Sequence, residues 1–138
     1  MEMIATVRTS MANRKLVHEL TRRFGFRAEN TIARICLAYS LSQGRIAIAQ
    51  ANQDSRGKEY PCRVLFGGMM PYYVALLCQL YDKRLSQTEL ARYTKLHLDD
   101  GIERIAKMVE DSPKEQAWDQ LEELVVLGLG GLGHARSE

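Results

Sequence analysis

Apolar residues recur at helical spacing through most of this chain. Leu16, Leu20 and Phe24 fall at four-residue intervals with Val17 beside them, which puts one apolar stripe on a helix. Ser10 or Asn13 can cap its start, because a short polar side chain accepts from an orphan backbone N–H. Gly25 can end it by taking the left-handed conformation. A second run, from about Ala28 to Ser42, repeats the pattern with Ile32, Ile35, Cys36 and Tyr39, and Gly44 is its expected stop. Ahead of both, Ala5 and Val7 alternate with Thr6 and Arg8, the two-residue period of a short strand with one buried face.

The helical period is lost after Gly44. RIAIAQANQ alternates weakly and fits either a strand or an irregular connection. The stretch DSRGKEYPCRVLFGG, residues 54–68, then crowds charges ahead of an apolar run. Gly57 is expected to permit a tight turn, and Lys58 to pair with Glu59 or Asp54. Tyr60-Pro61 would stiffen the return into a buried strand-like segment, Val64-Leu65-Phe66. Helix resumes at Pro71, tolerated in a first turn, with Tyr73, Leu76, Leu77 and Leu80 on its buried face. Ser86 and Glu89 in SQTE spell a capping box, so another helix begins near Gln87. Ile102, Ile105, Ala106 and Val109 define a further one, with Asp99 and Asp100 at its start, where acids favour the helix dipole. Ser112-Pro113 breaks the pattern before a last helix with Trp118, Leu121, Leu124 and Val125. The expected fold class is mainly α. It is a compact helical domain with a short N-terminal strand, a ribbon-helix-helix-like start and a short strand-like segment in mid-chain. Residues 1–111 would form one helical domain, and residues 112–138 a C-terminal helix and flexible Gly-rich tail.

Composition narrows the class. A length of 138 residues with 46% apolar content fits a single core. No run of about 18 apolar residues occurs to span a bilayer. The start MEMIATVRTS lacks a basic head and apolar segment, so a cytoplasmic location is expected. Cys36, Cys62 and Cys78 are odd in number and widely spaced, which suits reduced thiols, with Cys62 the one expected to be reachable. The tail motif GLGGLG matches a dinucleotide fingerprint in form only, since no helix, second strand and ribose-binding acid follow it. His18, His97 and His134 are scattered, no Cys or His pair has zinc-site spacing, and no metal or cofactor is expected.

Charge is more informative when divided along the chain. Residues 1–63 carry 11 Lys/Arg against 5 Asp/Glu, whereas residues 64–138 carry 8 against 12, so the net charge of +2 hides a strong polarity. The N-terminal half is the candidate polyanion surface. Arg14, Lys15, Arg22, Arg23 and Arg27 cluster about the first helix, where Arg14, His18 and Arg22 share one outward face. Arg8 on the strand, with Thr6, and Arg56 and Lys58 in the charged loop extend the set. The start of the second helix near Asn30 and Thr31 could hold a phosphate. A strand followed by two amphipathic helices is the ribbon-helix-helix order, in which the strand pairs with that of a second copy and enters the major groove. TELARYTKL, residues 88–96, resembles the first helix of a helix-turn-helix, but acids stand where its recognition helix would need bases.

A family resemblance sharpens this reading. Asp54, Gly57, Lys58, Glu59 and Tyr60 in DxxGKEY, the following Leu65-Phe66-Gly67 and the Tyr/Leu-rich YYVALLCQLY resemble the DNA sulfur modification protein family DndE. ENTIARICLAYSL resembles that family's second helix, and HLDDGIERI its final shared helix with His97 and Gly101 in place. The resemblance covers roughly residues 6–108. It implies a small, mainly helical, oligomeric protein, a dimer or tetramer, that accompanies the machinery replacing a non-bridging DNA backbone oxygen by sulfur. It further implies binding to double-stranded DNA, nicked duplex favoured, through basic surface, with catalysis left to partner subunits and no enzymatic activity here. Lys58 is the basic position that matches the family's motif. Three other readings are carried as alternatives: a ribbon-helix-helix repressor, a metal-dependent nicking enzyme using Asp99 and Asp100, and an assembly scaffold working through the acidic half.

Overall fold

The computed structural model describes residues 6–47 and 53–110, together with the single positions Asp119 and Glu122. The GLGGLG tail and the apolar positions of the expected last helix lie outside the described residues, as does Ala5. Strand β1 (Thr6–Arg8) leads into helix α1 (Met11–Phe24) and helix α2 (Glu29–Ser42). Strand β2 (Glu59–Pro61) runs directly into the short helix α3 (Cys62–Phe66). A 3-10 turn at Gly67–Met69 then opens helix α4 (Met70–Leu80), and helix α5 (Gln87–Glu110) closes the described chain.

The expected helix ends are formed as their chemistry requires. Ser10 caps α1 with its side chain accepting from the Asn13 N–H, and Gly25 ends that helix at φ 75°. The capping box of α5 closes both ways: Ser86 N donates to Glu89 Oε1 at 3.0 Å, and Glu89 N donates to Ser86 Oγ at 3.2 Å. The four-residue stripes face inward as well. Val17, Leu20 and Phe24 of α1, with Ile32, Cys36 and Tyr39 of α2, are buried.

β1 pairs antiparallel with β2, in the register Thr6 to Pro61, Val7 to Tyr60 and Arg8 to Glu59. The ladder continues through Thr9 N to Lys58 O (3.0 Å) and Gly57 N to Thr9 O (2.8 Å). Val7 and Tyr60 point into the core, while Thr6 and Arg8 are exposed, the alternation expected of this strand. The ladder partner of β1 therefore belongs to the same chain. The backbone need that motivated pairing with a second copy, in the ribbon-helix-helix reading, is met within the molecule.

Four other expectations are corrected. The mid-chain strand lies at Glu59–Pro61, and Val64-Leu65-Phe66 is helical. Pro61 has no N–H to continue the ladder, and Arg34 captures the free carbonyls of the turn that follows, Nε on Leu65 O at 3.0 Å and Nη2 on Val64 O at 2.6 Å. Cys62 is fully buried, and desolvation pushes its thiol up to about 11. Gly57 has no left-handed backbone; a Cβ there would overlap the Ser10 carbonyl oxygen, so the residue is small to let the loop lie against the start of α1. Asp99 and Asp100 do not open a helix, for α5 runs unbroken past them. Gly101, which a Cβ would drive into the Cys36 carbonyl, lets α5 cross α2 in the most extensive packing among the described helices.

Candidate nucleic-acid interface

The amino end of α1 is where three parts of the chain are tied together. Asp99 Oδ1 accepts from Ser10 N (3.1 Å) and Asn13 Nδ2 (2.8 Å), and Asp99 Oδ2 from Lys95 Nζ (2.6 Å). Asp54 Oδ1 accepts from Met11 N (3.0 Å) and Arg56 N (2.9 Å), while Lys95 Nζ also donates to Asp54 O (2.9 Å). Two carboxylates thus serve the orphan N–H groups of α1, the favourable place for negative charge. Those N–H bonds hold the exposed Asp54 carboxyl below the ordinary carboxylate range, with Arg56 and Lys95 adding to the effect. The consequence is a charged loop tied to α1 and α5, with Arg56 and Lys58 on either side of its close approach to Thr9 and Ser10.

The α1 cations project from this anchored helix. Arg14, Lys15, His18 and Arg22 are exposed, and Arg14, His18 and Arg22 share the outward stripe that their spacing predicts. Glu29, at the start of α2, lies 3.6 Å from His18 Nδ1 and 3.6 Å from Lys58 Nζ, which brings the loop's lysine beside the α1 stripe. Lys58 also sits 5.3 Å from the centroid of the Tyr60 ring. Its carboxylate partner is Glu29 in place of the expected Glu59 or Asp54, because the ladder register sets Glu59 opposite Arg8, which it binds at 3.1 Å. Arg56 pairs with Asp54 at 3.7 Å. Arg23 is half-buried, and Arg27 is exposed between α1 and α2. Arg8, Arg14, Arg22, Arg56 and Lys58 thus lie along the braced end and outer stripe of α1.

Other basic residues of the N-terminal half have structural work. Arg34 closes α3, and Arg45 Nε donates to Leu80 O at 2.6 Å, closing α4. Asp99 is buried, with its oxygens taken by the three donors above, and Asp100 accepts from Ser40 Oγ (2.7 Å) and Arg104 Nε (2.8 Å). Among the described residues no group of three or more His, Cys, Asp or Glu side chains is placed to hold a metal ion. Nor is any described helix long and apolar enough to cross a membrane.

One polar network was not legible from spacing. Tyr81 OH lies 2.6 Å from His97 Nε2, His97 Nδ1 lies 2.9 Å from Ser40 Oγ, and Ser40 donates to Asp100. Ser40 has one proton, so donating it to Asp100 assigns the Nδ1–H tautomer to His97, with Nε2 accepting from Tyr81. Ser40 and His97 are both fully buried, and desolvation holds the His97 imidazole down to about 4, so it is neutral. The motif residues His97 and Gly101 therefore join α5 to α2 and to the end of α4.

A comparison with curated proteins finds no match. The model of the family DndE, DNA sulphur modification protein DndE, matches residues 6–112, which takes in β1, the braced loop with its GKEY sequence, and α5 with His97 and Gly101. The chain belongs to the DndE family of DNA sulfur-modification proteins.

Proposed function

We propose that this chain is a DNA-docking accessory subunit of its sulfur-modification system, gripping the sugar–phosphate backbone of double-stranded DNA, nicked duplex favoured, and performing no chemistry itself. The observation that carries this reading is the placement of exposed cations along the α1 stripe and the loop braced beside it. Phosphate contacts of this kind position a protein without reading sequence, and each one releases counterions. The pairs of Arg8 and Arg56 with carboxylates lie toward solvent. Pairs of that kind hold by only ~0–1 kcal/mol, so phosphate can displace the carboxylate. Self-association would repeat the patch, and a nick gives the duplex freedom to bend toward a second copy. Other subunits of the system would supply the sulfur chemistry.

The test is binding to intact and nicked duplex across a salt series, with and without magnesium. Affinity should fall steeply with salt, show little sequence preference and leave no cut product. Changing Arg14, Lys15, Arg22 and Arg23 together to alanine should flatten the slope by roughly 0.9 for each phosphate that the variant no longer neutralises. Unchanged affinity in that variant would remove α1 from the interface.

A further inference from the structure

One carboxylate gathers three elements beside the α1 stripe. Glu29, in the first turn of α2, sets Oε2 at 3.6 Å from His18 Nδ1 of α1 and Oε1 at 3.6 Å from Lys58 Nζ of the charged loop. His18 stands between Arg14 and Arg22 on the outward stripe, so the acid sits among the side chains that would meet phosphate.

Shelter separates this pair from its neighbours. The Glu29 side chain is 24% exposed, against 48% for Glu59 and 36% for Asp54, so solvent screens its hold on Lys58 least. The Tyr60 ring, 5.3 Å from Lys58 Nζ, adds a second restraint. Yet both 3.6 Å contacts are longer than the about 2.7–2.9 Å of a charge-assisted hydrogen bond. Lys58 is held without its strongest bond, and a phosphate oxygen can offer that bond. Glu29 also has a reason of its own to stay at this position. Ala28 gives α2 no side-chain cap, and an acid in the first turn favours the helix dipole. The carboxylate can therefore release Lys58 and remain at the positive end of α2.

We propose that Glu29 is an internal competitor for DNA phosphate, holding Lys58, and His18 when protonated, until a backbone phosphate of docked duplex takes its place. The inference rests on the reading of α1 as a docking face and names the residue that limits its grip. Arg14 and Arg22 raise the local concentration of phosphate beside Glu29, so Lys58 engages only a duplex that already lies along the stripe.

Binding of the full chain to duplex across a salt series tests this. Glu29→Gln keeps the side-chain length and removes the charge; it should tighten binding about fivefold and steepen the salt slope by about 0.9 for a phosphate newly neutralised. Glu29→Asp keeps the charge at the start of α2 but draws it back by one methylene. It should hold the wild-type urea midpoint and still tighten binding, which a change in net charge alone would not produce. Lys58→Gln should cost more affinity in the Glu29→Gln background than in wild type, as expected of a lysine set free. Unchanged or weaker binding by Glu29→Gln, a gain confined to Gln and absent from Asp, or an equal cost of Lys58→Gln in both backgrounds would each overturn the proposal. Binding that depends on Arg14 and Arg22 but ignores Glu29 overturns this inference alone, whereas no duplex binding by wild type or any variant overturns the α1 reading beneath it.

Discussion

A methyl group at residue 101 would overlap the carbonyl oxygen of Cys36, and that oxygen belongs to the backbone of α2, which cannot rotate away. Two effects oppose each other in Gly101→Ala. Alanine improves helix propensity by about 1 kcal/mol, whereas overpacking a rigid contact costs about 3 kcal/mol, the upper end of the usual range. Overpacking wins, so the variant should lose about 2 kcal/mol, read as a lower urea midpoint at unchanged slope. Gly57 faces the Ser10 carbonyl in the same way. Spacing places a glycine in a sequence but does not say whether it serves a turn or a close approach. For that reason the turn expected at Gly57 gives way to a close approach that only the folded chain reveals. Both glycines lie within the residues that the family model matches, and the structure gives each of them a packing role.

At the scale of elements, α5 shows where local pattern stops being sufficient. Adjacent acids followed by glycine resemble a helix start, yet α5 passes through them, because Asp99 is bound by Lys95 one turn earlier and by Ser10 and Asn13 of α1. The first link is local and could be read as an i,i+4 pair; the others cross 86 to 89 residues of sequence and could not. The strand, α1, α2 and the capping box were legible because each depends on neighbours within a few residues. The partner of β1, the seat of Lys58 and the Tyr81–His97–Ser40 chain were not, since each is fixed by tertiary register. The Asp99 cluster yields a prediction of its own. Lys95→Met leaves a buried carboxylate with one donor fewer and should cost about 2 kcal/mol, the range for a hydrogen bond to a charged group. Adding Asp99→Asn should restore part of that stability, giving a positive coupling in a double-mutant cycle read by chemical denaturation.

Across the whole molecule, the buried His97 makes stability depend on pH in a defined window. Its imidazole faces Tyr81 and Ser40, with the Asp100–Arg104 pair beyond Ser40, and desolvation lowers it from its ordinary value of 6.5 to about 4. Between those values the unfolded chain binds a proton that the folded one refuses, so stability rises with pH there. The contribution is complete above pH 6.5 and is lost as pH falls through 4; a shift of this size corresponds to about 3 kcal/mol. The capping-box carboxyl follows at lower pH. Ser86 N–H, then Lys83, hold Glu89 down to about 2, so its support disappears as pH falls from 4.5 toward that value. Urea midpoints taken at one protein concentration should therefore decline between pH 6.5 and 4, before most carboxylates titrate. His97→Gln keeps a polar side chain at this position but cannot take up the proton. It should start less stable at pH 7.5, having given up hydrogen bonds at fixed geometry, and should then hold a flat midpoint down to about pH 4.5. A decline as steep as in wild type would place the titrating group elsewhere and detach the α2–α5 crossing from the acid sensitivity of the fold.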